Sequence, residues 1–568
     1  MQFRPRGEAW IFVASRRLTE DFVLGSAPMT SAPRAALVGP FLLLTACFSP
    51  GEGQEPPLDR FYFPTGLAVD SGAERLYVVN SDFDLQYNGG SLQSLDLDRL
   101  REVVPRYCRA DDDCGDSERC DLEPTVDNEG TPSHWCVDRS GDYAGKPCGP
   151  LGEKSQADRW LEPGRCDYLS VTRPQDGGES LVVGRVGVGA FATDVIYRQA
   201  RDADGEVLDW GRLFVPVRGD ATLHYIDVEP GGVEVECGQD GNHGDCNDAH
   251  RVGNDPDAEN TRDLRMPPEP FAIDASEDGT AVLVTHQVDG AVSLFLNDWT
   301  DRPRLEWVTG GLPARIAGIA AVPEPVIAQR TAYQPGFLVT FRVAANIVLL
   351  RVFEDASSSD SIQRPYLQQS GSVSVAANSV GFDSRGVAVD ASERRECERG
   401  CADDACLSLC AGIPLGIYVG NRSPNSLLVG QSRTNASATS SDDLPTFYDS
   451  IPMPFGVSRV VVGPVIDPGG ALVTRVFVIS FDQRKVAIYD PEARRVEGFV
   501  ETGRGPHALV IDADTQRSSE GQSPRFAYGY LAHFTDSYIG VIDLDQRHET
   551  YGQIVLTVGA PTPPRASK

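Results

Sequence analysis

Lysine is almost missing from this chain: Lys146, Lys154, Lys485 and Lys568 are the only four in 568 residues. Basic charge falls to arginine instead, which we read as codon bias. The 51 Lys and Arg stand against 82 Asp and Glu, a formal net charge of -31. Nucleic acids and anionic lipid surfaces both select for basic patches, so this balance argues against either as a partner. Also absent are the GxSxG elbow, the HExxH helix, the GxxxxGK[ST] loop and the CxxCH haem site. Their absence removes the common hydrolase, zinc-protease, nucleotide and haem signatures. No stretch names a reaction.

What the chain does have is repetition. A strand phrase is clearest in PTGLAVD (Pro64 to Asp70), PEPFAID (Pro268 to Asp274) and PHALVID (Pro506 to Asp512). Four weaker copies are VGAFATD (Val188 to Asp194), PARIAGI (Pro313 to Ile319), SRGVAVD (Ser384 to Asp390) and PFGVSRV (Pro454 to Val460). Each precedes a second apolar run, closing on Asn80, Val217, His286, Phe341, Asn421, Ser480 and His533. A third run follows, such as RKVAIYD (Arg484 to Asp490), with blades four and five carrying the degenerate NIVLLRV and NSLLVGQ. These runs are short and rich in β-branched and aromatic residues, which predicts strands. The closest copies start 45 and 52 residues apart, the blade length of a β-propeller. Three of the four longer intervals contain the cysteine clusters, which places insertions on a regular core.

In the first strand, large residues flank a small one: Leu67 and Val69 around Ala68, Phe271 and Ile273 around Ala272, Val387 and Val389 around Ala388. Neither face is polar, whereas a strand with one wet face alternates with polar side chains. Inner propeller strands, packed between blades near the axis, have this character. The expected fold is therefore all-β, a seven-bladed β-propeller with cysteine-rich insertions between or within blades. From Phe63 to about Gly559 the chain resembles the YVTN and NHL-like propellers, whose blades share the phrases P-x-Gly-apolar-x-apolar-D, L-Y-V-x-N and V-x-V-I-D. The resemblance implies a fold more than an activity, since the group includes surface proteins, binding scaffolds and, among related propellers, lactonases and lyases.

At the start of the chain, Met29 makes a better first residue than Met1, because Arg34 then supplies a basic region and Ala35 to Leu44 a short apolar one. That run is too short to cross a bilayer as a mature helix. It ends in Leu44, Thr45, Ala46 and Cys47, which resembles the lipobox of bacterial lipoproteins and implies lipidation of Cys47. An ordinary secretory signal with an incidental cysteine is the alternative. Phe48 to Asp59 is Pro- and Gly-rich and suits a flexible spacer. Phe48 also replaces the Asp that retains such lipoproteins at the inner membrane, which implies lipid-anchored delivery to the bacterial outer membrane. The expected organisation is a leader and lipoprotein signal over 1–47, a linker over 48–59, a propeller over 60–560 and a tail over 561–568. Insertions fall at about 105–170, 235–262 and 392–412.

Twelve further cysteines, an even number in an exported chain, predict six disulfides. Cys108, Cys114, Cys120, Cys136, Cys148 and Cys166 lie in a segment too polar to order itself by burial, and their pairing is left open. Cys237 and Cys246 close a short Gly-rich loop and are expected to bond. Cys397, Cys401, Cys406 and Cys410 fit a helical hairpin with nested bonds from Cys397 to Cys410 and from Cys401 to Cys406. A zinc site is the competing reading, but zinc knuckles favour two-residue spacers. Asp111, Asp112, Asp113 and Asp116 fail the calcium-loop pattern, since the sixth position holds Asp116 rather than Gly, and read as a solvated loop.

The residues closing the second strands should form one level near a rim of the channel. Its polar members, Asn80, His286, Asn421, Ser480 and His533, are the candidate ligand-binding residues. No catalytic or metal-ligating residue is assigned, and no cofactor is expected unless a divalent cation sits in the channel. The functional expectation is a lipid-anchored envelope module that binds a protein or small-molecule ligand. A metal-dependent lactonase-like or lyase-like enzyme is the alternative. The closing strand is expected at Gln553 to Val558, with Phe61 to Phe63 packed beside it.

Overall fold

Seven antiparallel sheets succeed one another along the chain, six of four strands and one of five, and apart from the split edge of the second each keeps its strands in sequence order. The computed structural model describes residues 53–57, 60–70, 72, 74–121, 125–126, 132–155, 162–174, 177–202, 204–230, 234–239, 244–254, 262–326, 334–354, 364–375, 383–432 and 444–562. Strands make up 48% and helices 8% of the described residues, so the fold is all-β, a seven-bladed propeller with disulfide-bonded insertions. Cys47, the leader and most of the expected spacer lie outside the described residues, as does the tail from 563 on.

From the axis outward, blade 1 runs Pro64–Val69, Arg75–Asn80, Gly90–Asp96 and, after a long excursion, Val182–Val188. Blade 2 runs Ile196–Arg201, Val207–Val217 and Thr222–Val228, with its edge split between Val235–Glu236 and Arg251–Val252. The inner strands of blades 3 to 7 are Pro270–Ala275, Ile316–Val322, Ser384–Asp390, Val457–Ile466 and Pro506–Ala513. The chain ends on the outer strand of blade 7, Ile554–Val558.

Register corrects four of the seven copies. The residue closing each second strand pairs with the first residue of the inner strand: Asn80 with Pro64, His286 with Pro270, Phe341 with Ile316, Asn421 with Ser384, Ser480 with Val457 and His533 with Pro506. In blade 2 the equivalent contact is an isolated bridge from Val217 to Ala192. Copies one, five and seven are therefore in register. In the third, fourth and sixth, the prolines taken as the start, Pro268, Pro313 and Pro454, lie two or three residues before the strand. In the second, Val188 ends the outer strand of blade 1. Proline serves at a strand's first residue and equally in the loop before it, so as a marker it is good only to a few residues.

Correct register exposes a rule at the third inner position, occupied in blade order by Gly66, Asp194, Ala272, Gly318, Gly386, Arg459 and Ala508. Here adjacent inner strands touch through their backbones. A Cβ on Gly66 would lie 2.7 Å from the Val195 nitrogen, and one on Gly386 would lie 2.9 Å from the Val460 nitrogen. Five blades meet this by carrying nothing larger than a methyl group.

The seam between blades 7 and 1 holds a large apolar cluster that includes Leu67, Val78, Leu95, Ala532, Val541, Leu556 and Val558, together with Phe61. Beside it the Phe63 amide donates to Ser537 Oγ at 3.1 Å, and the Phe63 and Phe534 rings lie 5.1 Å apart. The first cysteine-rich insertion joins the same cluster through Leu100, Trp135, Leu169 and Val171. Its Leu169 amide donates to the Thr557 carbonyl at 2.8 Å, and the Gly559 amide donates back to Leu169 at 2.8 Å. The insertion thus extends the last strand of the chain, a role beyond decoration.

All six disulfides form. Cys237 pairs with Cys246, Cys397 with Cys410 and Cys401 with Cys406, as expected. The first six cysteines pair as Cys108 with Cys120, Cys114 with Cys136 and Cys148 with Cys166. The other two insertions also reach back one blade. In the second, the Cys246 amide donates to Gly187 of blade 1 at 3.0 Å. In the third, the helices Ser392–Arg399 and Asp404–Cys410 make the expected hairpin. There Glu398 accepts from the Val326 amide, and Arg394 donates to the Pro323 carbonyl, both in a loop of blade 4.

Candidate functional site

The ring that closes the second strands faces inward to the protein rather than to the lumen. Asn80 is 2% exposed, and His286, Asn421, Ser480 and His533 are fully buried. Asn80, His286 and Ser480 hold the loops that lead into the inner strands, and Asn421 holds the turn after its own strand. His286 Nε2 lies 2.8 Å from Ser293 Oγ and Nδ1 3.1 Å from the Pro268 carbonyl. Ser480 Oγ donates to the Pro454 carbonyl at 3.2 Å, Asn421 Nδ2 to the Ser423 carbonyl at 3.3 Å, and the Tyr62 amide donates to Asn80 Oδ1 at 2.9 Å. His533 stacks on Tyr538 at 4.0 Å. Burial pushes the His286 pKa down to about 4 and that of His533 to about 3, so both are neutral imidazoles at physiological pH. The Val217 and Phe341 side chains at the same level are also buried.

One residue further along, strand alternation turns the side chain to the opposite face. These positions hold Ser81, Arg218, Gln287, Arg342, Arg422, Phe481 and Phe534. Together with the second inner residues, which a register shift leaves unpaired in six of the blades, they surround the mouth of the channel. Six inner strands are entered through a left-handed residue: Phe63, Phe191, Glu269, Arg315, Gly456 and Gly505, with φ between 47° and 92°. For the four that are not glycine this conformation is strained, as is common where a backbone is held for function.

Below the mouth, the two long side chains at the third inner position meet. Arg459 of blade 6 donates to Asp194 of blade 2 through Nη1 at 3.2 Å and Nη2 at 3.1 Å. Two blades separate them by the shorter way round, so the pair spans the axis. Beside it lies His507, whose pKa is pushed down to about 3 by burial and by the Arg459 guanidinium.

The mouth has two unlike arcs. On blades 6, 7, 1 and 2 the rings of Phe481, His507, Phe534, Phe63, Phe83 and Phe191 follow one another at centroid distances of 5.1 to 6.4 Å. Phe83 is 51% exposed, and Phe455 in the loop before blade 6 is 53% exposed. On blades 4 and 5 lie Arg315, Arg342, Arg385 and Arg422. Arg385 grips Asp383 through both carboxylate oxygens at 2.5 and 2.9 Å, Arg342 Nε reaches the same carboxylate only at 4.0 Å, and Arg422 pairs with Asp482 at 2.6 Å.

The Asp194 carboxylate in the lumen already has its partners. Both oxygens of Asp194 are taken by Arg459, and one also accepts from the Val195 amide at 3.0 Å. Among the described residues, two sets of three His, Cys, Asp or Glu lie close enough to share an ion, and both are cysteines already in disulfides. The acidic run after Cys108 is structural. Asp111 Oδ1 accepts from the Cys120 amide at 2.8 Å, and Asp113 Oδ2 from the Arg109 and Ala110 amides at 2.6 and 3.0 Å.

No family model and no curated protein matches the chain. Solved structures similar to it include the periplasmic gluconolactonase of Pseudomonas aeruginosa, at 11% identity and a TM-score of 0.37, over 83% of this chain and 88% of that one. A Bacteroides uniformis protein provisionally assigned as a 6-phosphogluconolactonase matches at 10% identity and 0.35, over 82% and 88%. A Lactobacillus plantarum protein matches at 11% and 0.35, over 78% and 85%. Likeness of this degree carries no argument about activity.

Proposed function

We propose that this protein is a binding module of the bacterial envelope, a YVTN/NHL-like propeller that takes its ligand on the face where the channel opens. The observation that carries this reading is the Asp194–Arg459 pair across the axis. It puts an ion pair where a lumen enzyme needs space, while exposed aromatic residues and guanidiniums ring the mouth above. Aromatic residues and arginine dominate the energetics of protein interfaces. The metal-dependent lactonase-like or lyase-like alternative has less support from these residues, because the lumen carboxylate is already committed to a guanidinium.

The reading is tested by photo-crosslinking in cells. A photoreactive residue at Phe83 or Phe455 should give partner adducts that one at Tyr448, on the opposite face and 50% exposed, does not give. Equal adducts from both faces would remove the case for this surface.

The anchor is part of the same proposal. The run Leu44 to Cys47 and the Pro-rich spacer support lipidation at Cys47, and Phe48 supports outer-membrane delivery. Cys47→Ala should release an intact propeller from the membrane fraction and abolish lipid labelling. Continued membrane association of that variant, expressed from Met29, would overturn the anchor.

A further inference from the structure

In a protein of net charge -31, four guanidiniums gather on blades 4 and 5 around two carboxylates. Arg315 and Arg342 are tied together by a backbone hydrogen bond of 3.0 Å, and Arg422 is held by its amide to the Asp383 carbonyl at 2.7 Å. Their side chains therefore hang from fixed points of the rim. Both acids are already engaged: Asp383 is committed bidentately to Arg385, and Asp482 to Arg422. Arg342, two-thirds buried, is left with a 4.0 Å approach to an acid that another arginine already holds. Burial and the guanidiniums of Arg385, Arg315 and Arg422 hold Arg342 below the usual arginine range, against the pull of Asp383.

We propose that these residues form an oxyanion site, in which the Arg342 fork, flanked by Arg315, Arg385 and Arg422, receives a carboxylate or phosphate group of a small anionic ligand. The proposal rests on the reading of this face as the binding surface and names the chemistry it takes. Guanidiniums suit the task because their planar N–H forks match two oxygens of such a group. Like charges held together in partial burial repel one another, and a bound anion relieves that repulsion. The site lies beside the lumen, so the rest of the ligand would extend over the mouth toward the aromatic arc.

The test is calorimetric titration of the mature propeller with inorganic phosphate and, separately, citrate at low ionic strength, where exposed charges are least screened. At least one probe should bind, with phosphate and citrate distinguishing a phosphate-bearing from a carboxylate-bearing ligand. Arg342→Gln and Arg385→Gln should each weaken binding by about tenfold or more. Arg494→Gln, which makes the same charge change on the opposite face, should leave it unaltered. Arg342→Lys keeps the charge without the fork and serves if the Gln variants do not fold; it too should weaken binding. Failure of both probes to bind the wild-type protein, or equal weakening by Arg494→Gln, overturns the site. Crosslinks from Phe83 and Phe455 that persist in that case leave the binding face standing without it.

Discussion

Arg101 and Asp512, 411 residues apart, meet in a bidentate ion pair, with Nε donating to Oδ2 at 2.9 Å and Nη2 to Oδ1 at 2.8 Å. Arg101 belongs to the helix Leu97–Val103 that opens the first insertion, and Asp512 to the inner strand of blade 7. Tyr530 donates a third hydrogen bond to the same carboxylate at 3.0 Å. Burial raises the Asp512 pKa, and Arg101 and Tyr530 pull it only part of the way back.

Removing the cation should therefore be costly. Arg101→Ala is expected to lower the unfolding free energy by about 3–5 kcal/mol at neutral pH, the usual loss when a buried charge is left alone. A raised acid pKa favours the protonated form in the folded state, and a protonated Asp512 needs no cation. The deficit should thus shrink as pH falls through that raised value. Urea unfolding of both proteins across acid pH measures it, and a deficit independent of pH would remove Asp512 from the explanation.

Loss of the closing strand should be felt by the whole ring. Ile554, Leu556 and Val558 are buried, each contributing on the order of 2 kcal/mol, and their removal also strips the partner of Leu169. A chain ending at Thr550 should melt in one transition, well below the full-length protein. Two separate transitions, or an unchanged melting temperature, would show that the seam does not govern stability.

The small residue at the third inner position should be intolerant of size. At Gly386 a side chain meets the Val460 nitrogen and the Arg459 Cα at 2.9 and 3.0 Å, both backbone atoms that cannot turn aside. Gly386→Val should cost about 3 kcal/mol or more. Circular dichroism melts check it, with Gly498→Val, where a Cβ meets nothing within 4 Å, as the comparison.

His548 should make stability depend on pH. Burial disfavours its charge, but the hydrogen bond with Asp543 at 2.9 Å and the carboxylates of Asp543 and Asp545 outweigh it and raise the pKa, against Arg547. A raised histidine pKa gives a contribution complete below about pH 6.5 and lost as pH rises through the folded value. The melting-temperature gap between wild type and His548→Gln should therefore narrow from acid to alkaline pH. A constant gap would mean that the role of His548 is packing alone.

The number of blades and the strands within them were legible because strand runs are local, and apolar alternation survives even in blades four and five. Register was legible only in part, since proline marks a loop as readily as a strand start. The residues from Asn80 to His533 close their second strands opposite the start of an inner strand. Which side of them faces the lumen turned on a single residue, and a shift of one moves a side chain to the other face. Phe481, Phe534, Arg342 and Arg422 each follow a ring residue directly, so the signal was one position away. The union of Asp194 with Arg459 was out of reach, because nothing local in either segment refers to the other. Both stand where the other blades have glycine or alanine, and a corrected alignment would have shown them as the two exceptions. Pairing among the first six cysteines was open for the same reason, as spacing does not fix a path through a polar segment.

The contacts of the first insertion with Thr557 and Val558 impose an order in time. In a chain made from its N-terminus, Leu169 exists long before residue 558, so the docking edge of the insertion is complete while its counterpart has not been synthesised. Closing the ring therefore has to wait for the final strand. Until then Leu100, Trp135, Leu169 and Val171, all buried in the finished protein, have no blade 7 to cover them, and the nascent molecule is an arc with a sticky end.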